Sequence, residues 1–286
     1  DVSERVAFLR RRAFPAKTVE ALRGVAEELL AEHADTGAVA KHRPLLETIP
    51  LLRAEAPLEI PPARLAKAIA QLKQDNDKEF IDREFESTRQ GVVLDLTNLR
   101  NLTDLSALEK LPLHSLVLRG TGVRDLSPLR HMPLRRLDLT DTPVEDLGPL
   151  ADTPLESLSL RHSDGGDVGV LSDLSPLKGV PIKELELVRC GPLRDLSALR
   201  HMPLQKLHIE GIKDGPYLDR RQMPVDDLRP LEDAPLKTLI LRSLRVSDIE
   251  PLRNMPLQNL VIIRCPVENI APLEGKTLRT FVIKET

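Results

Sequence analysis

LHSLVLRGTGVRDLSPLRHMPLRRLDLTDTPVEDLGPL, residues Leu113 to Leu150, writes one phrase nearly twice. An apolar triplet spelled L-x-x-L-x-L (Leu113, Leu116, Leu118) is followed by Val123, Leu126 and Leu129, and Pro133 opens the next copy. The triplet returns at Leu134, Leu137 and Leu139, and again at Leu155, Leu158 and Leu160, a period of 21 residues. A period in the twenties marks supersecondary units that cannot bury an apolar face alone and must stack on their neighbours. Within each triplet the last leucines alternate with polar residues, as a strand with one buried face requires. V-x-D-L then turns a corner. The S-P-L that follows is expected to form one helical turn, with Ser127 or Ser175 as its cap and Pro128 or Pro176 as its first residue.

The phrase extends in both directions. Leu94 and Leu96 mark a degenerate first strand, and Ile182, Leu204, Leu236, Leu257 and Leu278 lead later ones, giving about nine coils over residues 90–286. The expected fold is an α/β right-handed solenoid, with parallel strands lining a concave face and short 3-10 or α turns outside. Residues 1–89 carry no repeat and read as a helical cap. Val19, Leu22, Val25 and Leu29 fall at helical spacing behind Thr18, and Leu65, Ile69 and Leu72 do so behind Pro62. Such a unit would cover the open apolar end of the first coil.

Composition narrows the function. Aromatic residues are 2% of the chain and tryptophan is absent, so the core is aliphatic. A formal net charge of −3 gives no basic surface for nucleic acid or for an anionic membrane. No apolar run approaches the ~18 residues of a membrane span. Cys190 and Cys265 fall in one repeat column three coils apart. At ~4.8 Å per strand their Cα atoms stand roughly 14 Å from each other, too far to bridge. They read as reduced core residues, and the cytoplasm is the expected location. The chain opens on Asp1, which suggests a fragment or a processed form.

These residues resemble leucine-rich repeats, whose strand signature is L-x-x-L-x-L. The variant D-L-S-P-L-x-x-M-P-L at Asp125–Leu134, and nearly again at Asp195–Leu204, is similar to bacterial arrays that accompany kinase or other signalling domains. The resemblance covers about 190 residues. It implies a protein-binding module, sensing or scaffolding in a signalling protein, or else the regulatory part of a larger enzyme such as a serine/threonine kinase. One column departs from the family. Where Asn is usual, this chain has Thr121, Thr142, Ser163, Cys190, Ile212, Leu244 and Cys265, so the Asn ladder must give way to hydroxyls and apolar packing.

Candidate chemistry is sparse. The aspartates 125, 146, 173, 195, 227 and 248 stack as a column, but each precedes a tight corner where a short carboxylate bonds backbone N–H groups. No metal, cofactor or catalytic residue is assigned. The histidines lack both metal spacing and a nucleophile partner, and phosphate-loop, kinase and nucleophile-elbow motifs are missing. The concave columns are the expected partner-binding surface. They carry mixed charge at Arg136, Asp138, Arg161, Glu186 and His208, then an apolar strip at Ile240, Val261, Ile263 and Val282. Two insertions leave the same end of their strands and supply candidate rim loops, one with Asp164 and Asp167, the other with Tyr217, Arg220 and Arg221. The final strand presents an open edge that invites homo-oligomerisation.

Overall fold

The structure is a computed structural model of the 286-residue chain. It describes residues 13–14, 53–54, 70, 86–88, 91–109, 111–163, 171–212 and 223–284. The chain divides into two compact units, Asp1–Glu59 with Ser87–Gln90, and Ile60–Glu86 with Gly91–Thr286. In the first, Ala13–Phe14 pairs in parallel with Arg53–Ala54. The helices expected over 1–89 fall almost wholly outside the described residues, as do the rim residues Asp164, Asp167, Tyr217, Arg220 and Arg221.

Nine strands of one sheet carry the repeats: β1 (Gly91–Asp95), β2 (Leu113–Val117), β3 (Arg136–Asp138), β4 (Ser157–Arg161), β5 (Glu184–Val188), β6 (Lys206–Glu210), β7 (Thr238–Arg242), β8 (Asn259–Ile263) and β9 (Thr280–Lys284). Each pairs in parallel with the next in sequence order. Register holds one leucine above another: Leu94, Leu116, Leu137, Leu158, Leu185, Leu207, Leu239 and Leu260 form a single column. All eight are at most 2% exposed. Burial of a leucine contributes roughly 1.5–3 kcal/mol, so this column alone outweighs any surface contact on the sheet. The ninth member, Phe281, lies over Leu260 but is 47% exposed, because no coil among the described residues covers it.

Opposite the strands, each coil closes with a three-residue 3-10 turn, from Ser106–Leu108 to Ala271–Leu273. The aspartate column caps these turns, which corrects the expectation that serine does so. Asp125 Oδ1 accepts the Ser127 amide at 2.8 Å, and Asp173 and Asp195 accept those of Ser175 and Ser197 at 2.7 Å. The Ser175 hydroxyl turns back and donates to Asp173 Oδ2 at 2.6 Å. Serine is therefore the first turn residue and a donor, and proline comes second. Asp104 and Asn269 extend the column at its two ends.

The column that lacks Asn also differs from expectation. The Thr121 and Thr142 hydroxyls donate to Leu118 O and Leu139 O within their own coils, both at 2.7 Å. Ser163 and Cys190 reach across: the Ser163 hydroxyl donates to Asp141 Oδ2 at 2.5 Å, and Cys190 Sγ lies 3.0 Å from Leu160 O of the preceding coil. Contact between coils is otherwise maintained by backbone bonds such as Leu118 N to Asp138 O and Gly120 N to Thr140 O, each 2.8 Å.

Candidate functional site

Three outward columns run across the open face of the sheet, opposite the leucines. The first aligns Arg136, Ser157, Glu184, Lys206, Thr238, Asn259 and Thr280. The second aligns Asp138, Ser159, Glu186, His208, Ile240, Val261 and Val282. The third aligns Arg161, Val188, Glu210, Arg242, Ile263 and Lys284. Every concave residue expected from sequence lies in these columns, and Ile240, Val261 and Val282 are consecutive in one of them.

The charges of this face are largely committed to one another. Arg119 pairs with Asp138 at 2.8 Å. Glu186 receives Arg161 at 3.2 Å and Lys206 at 3.3 Å. Burial alone would raise the Glu186 carboxyl, but these two cations outweigh it and hold the group below its ordinary range. Glu210 lies among three groups: His208 at 3.4 Å, Arg189 at 3.5 Å and Arg242 at 3.6 Å. The imidazole, then the two guanidiniums, keep the Glu210 carboxyl low despite burial. An open hollow of about 770 Å³ spans the centre of the face, lined by Asp138, Arg161, Glu186, His208, Glu210 and Arg242 among others.

Two histidines are built into this centre. His162 is 3% and His208 8% exposed. His208 Nε2 faces Glu210 without the alignment of a hydrogen bond, and Arg242 Nε is likewise buried with no acceptor. Val188, in the third outward column, is buried at 5% exposure. Arg136 is exposed, whereas Ile240, Val261, Ile263 and Val282 are each partly exposed. Arg189 and Arg242 are the members that the sequence did not single out. Arg242 shares a column with Arg161, so aligning the strands would have found it; Arg189 occupies the corner beyond β5.

Other clusters are structural. Arg135 and Lys183 share Glu156 where strands begin. Ser163 binds the Asp141 carboxylate through its amide at 2.6 Å. Cys190 and Cys265 are both buried and unbridged, and burial pushes both thiols up. Among the described residues no group of three or more His, Cys, Asp or Glu could hold a metal ion. No helix there is long and apolar enough to cross a membrane.

Stacked parallel strands in register, one 3-10 turn per coil and a leucine-rich aliphatic interior leave one architecture. The fold is a leucine-rich-repeat solenoid. Internalin C2 from Listeria monocytogenes, known from its crystal structure, is similar to it: the match has a TM-score of 0.55 and 22% identity, covering 77% of this chain and 92% of that one. At that identity the likeness establishes the leucine-rich-repeat fold alone. No family model and no curated protein matches the sequence.

Proposed function

We propose that this leucine-rich-repeat chain is a non-catalytic protein-interaction module, sensing or scaffolding in a bacterial signalling protein. The partner lies on the concave sheet face and against the rim loops that carry Tyr217, Arg220 and Arg221. The observation that carries this reading is the face itself. Nine strands in register form a rigid platform, and its outward columns change from paired charges to contiguous aliphatic groups at Ile240, Val261 and Val282. A contiguous apolar strip on an otherwise polar face favours a macromolecular partner. Unbridged Cys190 and Cys265 accord with a cytoplasmic setting.

The test is affinity capture with the whole chain, comparing wild type with Val261→Asp/Ile263→Asp and with Arg136→Glu. Loss of the same captured protein in these folded variants supports the reading. A captured set indifferent to all three substitutions refutes it.

A second reading rests on the edge of β9. Phe281 occupies a core column yet is 47% exposed, and Ile270 is 51% exposed, the two large apolar side chains so placed among the described residues. An edge-to-edge contact between two copies would cover both and pair the free strand. Sedimentation should then show dimers that Phe281→Glu dissociates; a monomer at all concentrations removes this reading.

A further inference from the structure

On the reading that a protein partner occupies this face, we infer that its recognition centre is formed by Arg189, His208, Glu210 and Arg242. The partner would supply an extended segment with an acidic side chain two to four residues from an aliphatic one. The first argument is charge. Arg161, Arg189, Lys206 and Arg242 surround only two carboxylates, Glu186 and Glu210. Adding exposed Glu184, which is in register with Lys206, still leaves four cations facing three acids. At the other end of the hollow Asp138 holds Arg119 and Asp141 accepts from Ser163, so the hollow as a whole is balanced and the cation excess is local to β4 through β7. A basic segment would have to displace cations from Glu186 and Glu210, which each carry at least two. An acidic one can share Arg189 and Arg242, which have a single carboxylate, Glu210, between them.

The second argument is unmet hydrogen bonding. Arg242 Nε can only donate, and it is buried without an acceptor beside the poorly aligned His208 Nε2. His208 is 8% exposed and in the hollow's lining, so its ring edge is held in place and not free to seek water broadly. Once the side chains turn toward the hollow, a partner's carboxylate oxygen would accept from both groups. An uncharged acceptor would satisfy the geometry but forgo the charge-assisted strength.

The third argument is continuity with the apolar strip. Ile240 is the register partner of His208, and Ile263 that of Arg242. The centre of the cationic group lies near β6 and that of the aliphatic group near β8, about 10 Å apart at ~4.8 Å per strand. An extended chain advances ~3.3 Å per residue and returns to one face every second residue, which sets the spacing at two to four.

The experiment is panning of a random 12-residue phage-displayed peptide library on the full chain. Enriched peptides should carry Asp or Glu followed or preceded at that spacing by Leu, Ile, Val or Phe. For the best synthetic peptide, Arg242→Gln should weaken binding about tenfold or more, the usual effect of losing a hydrogen bond to a charged group. A peptide with Asp→Lys should regain binding on Arg242→Glu. Thermal melts by circular dichroism establish that each variant is folded. Peptides with basic or uncharged signatures, or no enrichment at all, overturn the inference. Binding indifferent to Arg242→Gln but lost in Val261→Asp/Ile263→Asp overturns it while leaving the binding face intact. Binding indifferent to both sets overturns the face as well.

Discussion

Replacing Glu210 by Gln removes one negative charge at nearly constant shape, and the structure fixes what should follow. The carboxylate has His208, Arg189 and Arg242 at 3.4, 3.5 and 3.6 Å. Two unit charges 3.5 Å apart attract by roughly 5 kcal/mol at an effective dielectric of 20. Most of that gross figure is offset. The Arg242 side chain is 43% exposed and screened by solvent, and burying the carboxylate to 17% costs solvation. The net loss is about 1–2 kcal/mol, since two guanidiniums remain near each other without their shared anion. The pH dependence carries a definite sign. The folded carboxyl lies below its ordinary 4.5, so its stabilisation is complete above that value and is lost as pH falls through the folded value. The gap between wild type and Glu210→Gln should be present at neutral pH and close as pH falls below about 4.5. With no tryptophan and one tyrosine, far-UV circular dichroism in urea is the assay of choice. Equal stability at pH 7, or a gap that persists well below pH 4.5, would refute the reasoning.

Other substitutions test other parts of the frame. Asp173→Ala should lower stability in urea denaturation and Asp173→Asn much less, because Asn269 already caps its turn at 2.9 Å; calcium should leave the melting temperature unchanged, and a calcium-dependent rise would restore a metal role. His131 has φ 61 after Arg130 at ψ 133, a type II corner that Gly179 and Gly275 occupy elsewhere. His131→Gly should therefore stabilise by about 0.5 kcal/mol, the left-handed penalty less the added chain entropy; a destabilised variant argues that the imidazole has another role. Cys190 is fully buried with its thiol pushed up. Iodoacetamide at pH 8 should modify it only on unfolding, and rapid labelling of the native chain by mass spectrometry would contradict its place in the core.

The leucine columns were legible because leucine, with an occasional isoleucine, fills each of them and the coil length hardly varies between Leu113 and Leu160. The aliphatic strip was legible for the same reason, since Ile240, Val261 and Val282 recur at a constant 21-residue offset. The ion pairs were not, because insertions stretch the spacing. Arg161 and Glu186 are 25 residues apart in sequence, and Arg194 and Asp226 are 32 apart. A face described as mixed charge thus concealed that most of its charges are paired within the sheet. The cap was misplaced because D-L-S offers two short oxygen-bearing side chains. Only the backbone direction at the corner shows which one reaches the free amide. His131 concealed a glycine-type corner, as its φ of 61 has no signature in the repeat.

The change in the outward columns at Ile240 has no cause inside the coil. Leu239 and Leu241 flank it with 0% exposure, as do the core residues Leu207 and Ile209 beneath His208, so the interior accepts either kind of outward neighbour. A solenoid residue touches little beyond the adjacent coils, and a polar side chain at Ile240, Val261 or Ile263 would be better solvated without disturbing the leucines. Folding therefore demands the inward columns and leaves the outward ones free. Where those free positions place aliphatic groups in contiguous array next to an arginine Nε and an imidazole without aligned acceptors, two local costs stand side by side. Exposed apolar area and unmet buried donors are relieved together by a segment that is acidic at one point and aliphatic a few residues away. Each cost alone has ordinary explanations in a soluble surface. Their adjacency across β6 to β8, fixed by register, directs the search for a partner to this part of the face.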